Sequence, residues 1–90
     1  PFDELDFPYN ITFETRDQPG ITGIVATAIG KQAINIDTVS HNRHHRGNAV
    51  FCIVTMPCNC NQIRRAIDDI RSQYPKALRA RPKITPILEG

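Results

Sequence analysis

The chain has 90 residues, of which 40% are apolar and 22% are charged, and its formal net charge is +2. This length and balance are typical of one small globular domain and exclude a disordered chain or a two-domain enzyme. No apolar run approaches the ~20 residues that a membrane-spanning helix needs, so we expect no membrane partner.

The N-terminal segment is acidic and lacks both the basic start and the apolar core of a signal peptide. The chain begins with Pro1 instead of a methionine. We therefore expect residues 1–8 to be the remnant of a linker and residues 9–90 to form the domain, as part of a longer protein.

The three cysteines argue against a disulfide scaffold, because an odd number cannot all pair within a chain that is able to bury a core. Cys58 and Cys60 are also closer in sequence than the usual pairs of zinc ligands. We expect reduced thiols and a cytoplasmic protein.

Charge is distributed unevenly along the chain. Residues 1–17 hold five acids and one base, whereas residues 60–90 hold seven bases and three acids. A protein that binds nucleic acid without sequence preference usually carries a larger excess of positive charge. We interpret the basic segment as a solvated helix face and tail, with no nucleic-acid partner.

The first predicted strand and helix follow from apolar spacing. Apolar and polar residues alternate from Tyr9 to Glu14, which predicts a half-buried strand that ends at 17–20. Five apolar residues then share one face of a helix: Ile21, Ile24, Val25, Ala28 and Ile29. Gly23 and Gly30 each cost this helix about 1 kcal/mol relative to alanine, so we expect one of them to face a packed neighbour.

Three further elements follow. Residues 33–40 alternate and are β-branched, which predicts a second strand, and the apolar run 49–56 predicts a third. Asn59 or Asn61 caps a second helix, and Pro75 ends it. Its apolar residues keep helical spacing: Ile63, Ala66, Ile67, Ile70 and Tyr74.

The last predicted strand covers 83–88, and its prolines confine it to a sheet edge. The complete order is β-α-β-β-α-β. With right-handed crossovers this order gives an α+β fold, a ferredoxin-like βαββαβ sandwich with a four-stranded antiparallel sheet and two helices on one face. We expect a partner to cover part of the other sheet face.

Two sequence segments at this spacing resemble the ACT domain family, whose members are small regulatory modules that bind amino acids. The segments are Asp17-Gln18-Pro19-Gly20-Ile21, followed by the amphipathic helix, and Ala33-Ile34-Asn35-Ile36. The likeness covers residues 9–88. Within the family, residues 9–39 are most similar to the C-terminal domains of homoserine dehydrogenases, mainly through Gly30-Lys31 and residues 36–39.

The resemblance implies that an amino acid binds between two paired domains. It would contact the loop after the first strand of one domain and the start of the second strand of the other. The matching positions are Thr15, Asp17, Gly20, Ile21 and Asn35. Backbone N–H groups at a helix start attract a carboxylate, and Asn35 offers both a donor and an acceptor. Asp17 either binds the ammonium group of the ligand or only caps the helix.

The same resemblance implies a function. The chain would be the C-terminal regulatory domain of an enzyme that reduces aspartate semialdehyde to homoserine, with feedback by threonine or a related amino acid. It would form a homodimer through the first helix and an edge strand. We expect no catalytic residues here, and NAD(P) only in the missing catalytic part, because the chain has no glycine-rich dinucleotide motif. The alternative is a domain that serves only assembly.

Two other classes of function depend on particular side chains. RNA-recognition modules share this element order, and residues 46–53 echo their third strand, but Asn48 and Val50 stand where stacking rings are required. The loop 17–20 contains none of the cysteines that ferredoxin-like metal chaperones place there.

Histidines and cysteines supply the right donor atoms for zinc: His41, His44, His45, Cys58 and Cys60. Because they follow different strands, we interpret the histidines as part of an exposed polar hairpin and predict no metal site. His41 is the exception, since a longer second strand would point it at an interface or a ligand.

Overall fold

The computed structural model describes residues 5–42 and 46–88, and these residues form six strands and two helices. Their bounds are β1 Asp6–Phe7, β2 Tyr9–Arg16, α1 Ile21–Lys31, β3 Ile36–His41, β4 Asn48–Thr55, β5 Cys58–Asn59, α2 Cys60–Gln73 and β6 Lys83–Pro86.

The main sheet has the strand order β3-β4-β2-β6, and every neighbouring pair is antiparallel. Helix α1 connects β2 to β3, which lie on either side of β4 in the sheet. Helix α2 connects β4 to β6, which lie on either side of β2. This topology confirms the predicted ferredoxin-like α+β fold.

The core lies between the sheet and the helices. Alternate residues of β2 and β4 are buried, and they cluster with the apolar faces of both helices. Phe13 and Phe51 stand opposite each other in the β2–β4 register, and their rings stack with centroids 5.5 Å apart. Because both helices contribute to this single core, both cover the same sheet face, as predicted.

The predicted start of the second strand is wrong by three residues. Strand β3 begins at Ile36, because the end of α1 turns through Ala33, whose φ is 60°. The Ala33 N–H donates to the Gly30 carbonyl oxygen at 3.0 Å. Left-handed residues at this position usually end a helix, so Ala33 belongs to the helix terminus instead of the strand.

The expectation that Gly23 or Gly30 faces a packed neighbour is also wrong within this chain. A Cβ added at either glycine would meet no heavy atom within 4 Å. Both glycines are exposed. Their cost to the helix is therefore not offset by any close contact with the described residues.

The predicted cap of the second helix is confirmed at Asn59. Its side chain accepts from the Asn61 N–H at 2.8 Å, and Gln62 Oε1 accepts from the Asn59 N–H at 2.8 Å. This reciprocal capping box satisfies N–H groups that the helix cannot pair internally. It also fixes where α2 begins.

A second, two-stranded sheet lies at the N-terminal side and was not predicted. Asp6 and Phe7 of β1 pair with Asn59 and Cys58 of β5, and Phe7 packs against the core. The division of the chain at residue 8 stays a prediction.

Candidate functional site

The loop between β2 and α1 ends in a glycine that caps the helix without a side chain. Gly20 is the N-cap residue, with φ of 82° in the left-handed region that favours glycine. The predicted capping role of Asp17 is therefore wrong, because α1 begins only at Ile21. The turn is closed by backbone bonds, from the Ile21 N–H to Gln18 and from the Ile24 N–H to Gly20.

The first turn of α1 leaves two donors available. The N–H groups of Thr22 and Gly23 form no hydrogen bond with the described residues, and the first turn contains no acidic side chain. Unpaired N–H groups and the helix dipole give this end of α1 a partial positive charge. It can therefore attract a carboxylate.

His41 stands beside this helix end. It is the last residue of β3, and its Nε2 lies 3.2 Å from Thr22 Oγ1 on the first turn of α1. Its ring also lies 5.8 Å from that of Phe51, whose side chain is fully buried. His41 is exposed, so it adds a hydrogen-bonding imidazole to the surface around the start of α1.

The five predicted ligand residues differ in accessibility. Thr15 is completely buried, and its hydroxyl donates to the Arg16 carbonyl at 3.1 Å. The side chain of Ile21 is buried in the core, so only its backbone faces the loop. Asp17, Gly20 and Asn35 are exposed. The ligand-contact roles of all five residues stay predictions.

Within one chain Asn35 lies far from the other four. Its carbonyl accepts from the Met56 N–H at 2.9 Å, beyond the end of β4 where that strand pairs with Ile36. His41, beside the start of α1, lies at the other end of β3. Six residues of strand extend about 20 Å. A single chain therefore holds the two halves of the predicted site at opposite ends of β3.

Strand β3 is the open edge of the sheet. It pairs only with β4 among the described residues, and its last five residues are exposed, including the apolar Val39 at 39%. The opposite edge, β6, is short and ends in Pro86, which has no N–H to donate to an added strand. Strand β3 contains no proline, and its main irregularity is a bulge at Asp37.

The side of α1 next to this edge is formed by small side chains. Thr22, Ala26 and Gly30 recur at every fourth residue, and Thr22 contacts β3 through His41. These three residues carry no large side chain that would keep a second helix away. The open edge and the neighbouring side of α1 therefore form one continuous, accessible surface.

Comparison with known protein families identifies the fold. The model of the ACT domain family matches residues 9–73. The chain belongs to the ACT domain family. The predicted family is therefore confirmed. The comparison with curated proteins finds no match.

Several solved structures share the fold of this ACT domain at low sequence identity. A homoserine dehydrogenase from Thiobacillus denitrificans is 13% identical with a TM-score of 0.81, over 99% of this chain and 19% of that one. The ACT domain of a GTP pyrophosphokinase from Chlorobium tepidum is 20% identical with a TM-score of 0.65, over 88% and 97%. The regulatory subunit of an aspartate kinase from Thermus flavus is 17% identical with a TM-score of 0.61, over 91% and 52%.

Two of these solved chains are much longer than this ACT domain. This ACT domain spans about a fifth of the homoserine dehydrogenase chain and about half of the aspartate kinase regulatory subunit. At such identities the likeness shows the fold alone.

The aromatic rings that an RNA-binding sheet would display are in the core of this ACT domain. Tyr9, Phe13 and Phe51 are each at most 1% exposed. The helix-free face of β2 and β4 instead carries Thr12 and Cys52, whose side-chain Oγ1 and Sγ atoms lie 3.4 Å apart. The described part of β2 and β4 thus offers no ring on which a base could stack.

The residues with zinc-binding side chains do not converge where the structure describes them. His41 lies beside the start of α1, whereas Cys58 in β5 and Cys60 at the start of α2 are buried. Residues 5–42 and 46–88 contain no group of three side chains that could hold a metal ion. His44 and His45 lie outside the described residues. Burial raises the pKa of the Cys58 thiol, against the lowering effect of its hydrogen bond with Thr55.

In the portion of the chain that the structure describes, neither helix is long and apolar enough to cross a membrane.

Proposed function

We propose that this ACT domain is the regulatory part of a homoserine dehydrogenase, that it pairs with a second copy through α1 and β3, and that the pair binds threonine or a related amino acid as a feedback effector. One observation carries the proposal. The two halves of the predicted effector site lie at opposite ends of the open edge strand β3.

Antiparallel pairing of two β3 strands would bring these halves together. In such a pair, each end of one strand lies beside the opposite end of the other. Asn35 of one copy would then stand near Thr22 and His41 of the other. The small side chains on the neighbouring side of α1 support this arrangement, because they allow the two α1 helices to approach each other.

The groups at the resulting site match an amino acid. The free N–H groups of Thr22 and Gly23 suit a carboxylate, and the lack of a side chain at Gly20 lets it approach the backbone. The amide of Asn35 from the second copy can donate to or accept from a side-chain hydroxyl such as that of threonine. The exposed carboxylate of Asp17 suits the ammonium group.

Regulation would follow from linkage between effector binding and pairing. An effector held between two copies stabilises the paired arrangement that it fits best. The effector can change the activity of an attached enzyme only if it binds one paired arrangement more tightly than another. The size of the change is set by that difference in affinity. This chain would take no part in bond making, and NAD(P) would bind in the catalytic part of the enzyme.

The homoserine dehydrogenase assignment is supported by the finer sequence likeness of residues 9–39 and by a structural neighbour of that name. A cytoplasmic location is supported by the three free cysteines, since a reducing compartment keeps thiols unpaired.

Calorimetric titration of the chain with free amino acids, threonine first, tests the effector proposal. We expect saturable heat for the parent chain, loss of that heat for Asn35→Ala, and unchanged heat for Asn61→Ala. Asn61 is a matched control because it is also exposed but lies on α2, away from β3.

Sedimentation at micromolar concentration tests pairing separately. A dimer that gives no heat with any amino acid would contradict effector binding and would favour a domain that serves only assembly. The burial of Thr15 is the observation in favour of that alternative, because its hydroxyl does not reach the surface. A strictly monomeric chain would contradict the proposed pairing.

A further inference from the structure

A groove between α2 and β6 lies on the opposite side of the domain from the β3 edge. It has a volume of about 280 Å³. Its floor is apolar and consists of Ile67, Pro82 and Ile84, of which the first two are buried. Because β3 and β6 are the two outer strands of the sheet, pairing through β3 would leave this groove open in both copies.

Three arginines surround this floor. Arg64 and Arg71 are seven residues apart on one side of α2, and Arg81 precedes β6. Among the described residues that line the groove, Asp68 is the only acidic one. The groove is therefore an apolar strip with an excess of positive charge around it. It also lies within the segment 60–90, where bases outnumber acids by seven to three.

Two of these guanidinium groups have no partner in the described part of the chain. Arg71 and Arg81 are exposed, and they form no hydrogen bond or ion pair with residues 5–42 or 46–88. Asp68 is three residues before Arg71, a spacing at which helical side chains can meet, but the two are not paired. The guanidinium groups of Arg71 and Arg81 therefore have their full hydrogen-bonding capacity available to a ligand.

We infer that this groove docks an acidic segment of a protein partner, with carboxylates on Arg71 and Arg81 and an apolar side chain on the strip between them. Guanidinium groups bind carboxylates through paired hydrogen bonds, which gives direction as well as attraction. The apolar floor distinguishes a peptide from inorganic phosphate, which has no apolar group to bury. Among the described residues no aromatic ring lines the groove, so it lacks the aromatic platform on which single-stranded nucleic acids usually stack.

Side chains must carry this recognition, because the neighbouring edge strand is poorly suited to backbone pairing. Pro82 and Pro86 flank or end β6 and have no N–H groups. An added strand would therefore find few donors there. The inference does not depend on the effector proposal, since the two concern opposite sides of the domain.

Fluorescence anisotropy tests the inference on the full chain. The probe is a fluorescein-labelled peptide of the repeat Glu-Leu-Glu-Glu, compared with the same repeat carrying glutamine for glutamate. We expect the acidic peptide to bind and the neutral one not to bind. The double variant R71Q/R81Q should weaken binding by about a hundredfold, since each of the two lost charged hydrogen bonds is worth about a factor of ten.

The double variant R65Q/R79Q is the matched control. It removes the same charge from two exposed arginines that do not line the groove, so it should bind the acidic peptide like the parent chain. Equal losses in both double variants would show attraction to net charge alone and would overturn the inference. Absence of peptide binding, or stronger binding of a labelled single-stranded RNA, would overturn it as well. Circular dichroism confirms that each variant is folded.

Discussion

The imidazole Nε2 of His41 and the hydroxyl Oγ1 of Thr22 lie 3.2 Å apart and join the end of β3 to the first turn of α1. The buried ring of Phe51 supports the imidazole from the side of the core. The contact places an imidazole, which can donate or accept a hydrogen bond, beside the N–H groups of Thr22 and Gly23. It also holds the open edge strand and α1 together as one surface.

A double-mutant cycle at this pair should show a favourable coupling. We expect His41→Ala and Thr22→Val together to cost about 0.5–1 kcal/mol less free energy of unfolding than the sum of the single changes, the usual size of one exposed hydrogen bond. Urea unfolding of the four chains measures it. Costs that add within about 0.3 kcal/mol would show that the contact contributes nothing to stability.

The exposed glycines of α1 should be suboptimal for the isolated domain. Gly30→Ala should raise the free energy of unfolding by about 1 kcal/mol, because the added methyl group meets no atom within 4 Å and alanine is the better helix former. Gly47→Ala is the matched control. It also has open space, but its φ of 80° disfavours a side chain, so this variant should be less stable.

The same substitution also tests the proposed pairing. If α1 of a second copy approaches this side of the helix, Gly30→Ala should weaken dimerisation while it stabilises the single chain. Sedimentation of the parent and the variant across a range of concentrations separates the two effects. A variant that is more stable and dimerises with equal affinity would place the interface elsewhere.

Replacement of Ala33 by glycine should stabilise the domain. Its φ of 60° costs an alanine about 1–2 kcal/mol, whereas the greater freedom of glycine in the unfolded chain costs about 0.4–1 kcal/mol. We expect Ala33→Gly to raise the free energy of unfolding by about 0.5 kcal/mol. Ala26→Gly, within α1, should lower it by about 1 kcal/mol. A loss of stability in both variants would contradict the left-handed turn.

The buried Cys58 thiol should make the domain less stable in alkaline solution. Burial raises the pKa of this thiol in the folded chain above its ordinary value of 9.0. As the pH rises through that ordinary value, the unfolded chain releases the proton first, so the free energy of unfolding falls with pH. The contribution of the protonated Cys58 thiol to stability is complete below its ordinary pKa. It is lost as the pH rises through the raised pKa of this thiol in the folded chain.

Comparison with Cys58→Ala isolates this effect from other groups that titrate in alkali. The variant should lose some stability at neutral pH, because a buried side chain becomes smaller, but its stability should fall less steeply from about pH 8 to about pH 10. Urea unfolding at several pH values measures both slopes. Parallel slopes would show that the thiol does not contribute.

Local patterns predicted most of the fold because the interactions that they report are local. Alternation in β2 and β4, helical spacing in α1 and α2, and the Asn59 capping box all involve residues within about four positions of each other. The prolines around β6 predicted its edge position for the same reason, since a missing N–H is a property of the residue itself. The start of β3 was missed because alanine at 33 takes a left-handed conformation that its sequence does not indicate.

The sequence by itself determined the order of the two helices and of the four strands in the main sheet, the ACT family and the residues proposed for the effector site. The tertiary structure decided where those residues stand. It buried Thr15, placed Asn35 at the far end of β3 from the rest, and brought His41 to Thr22 across 19 positions of the chain. Such contacts depend on strand register and on how helices lie across the sheet, and these are set by the packing of the whole core.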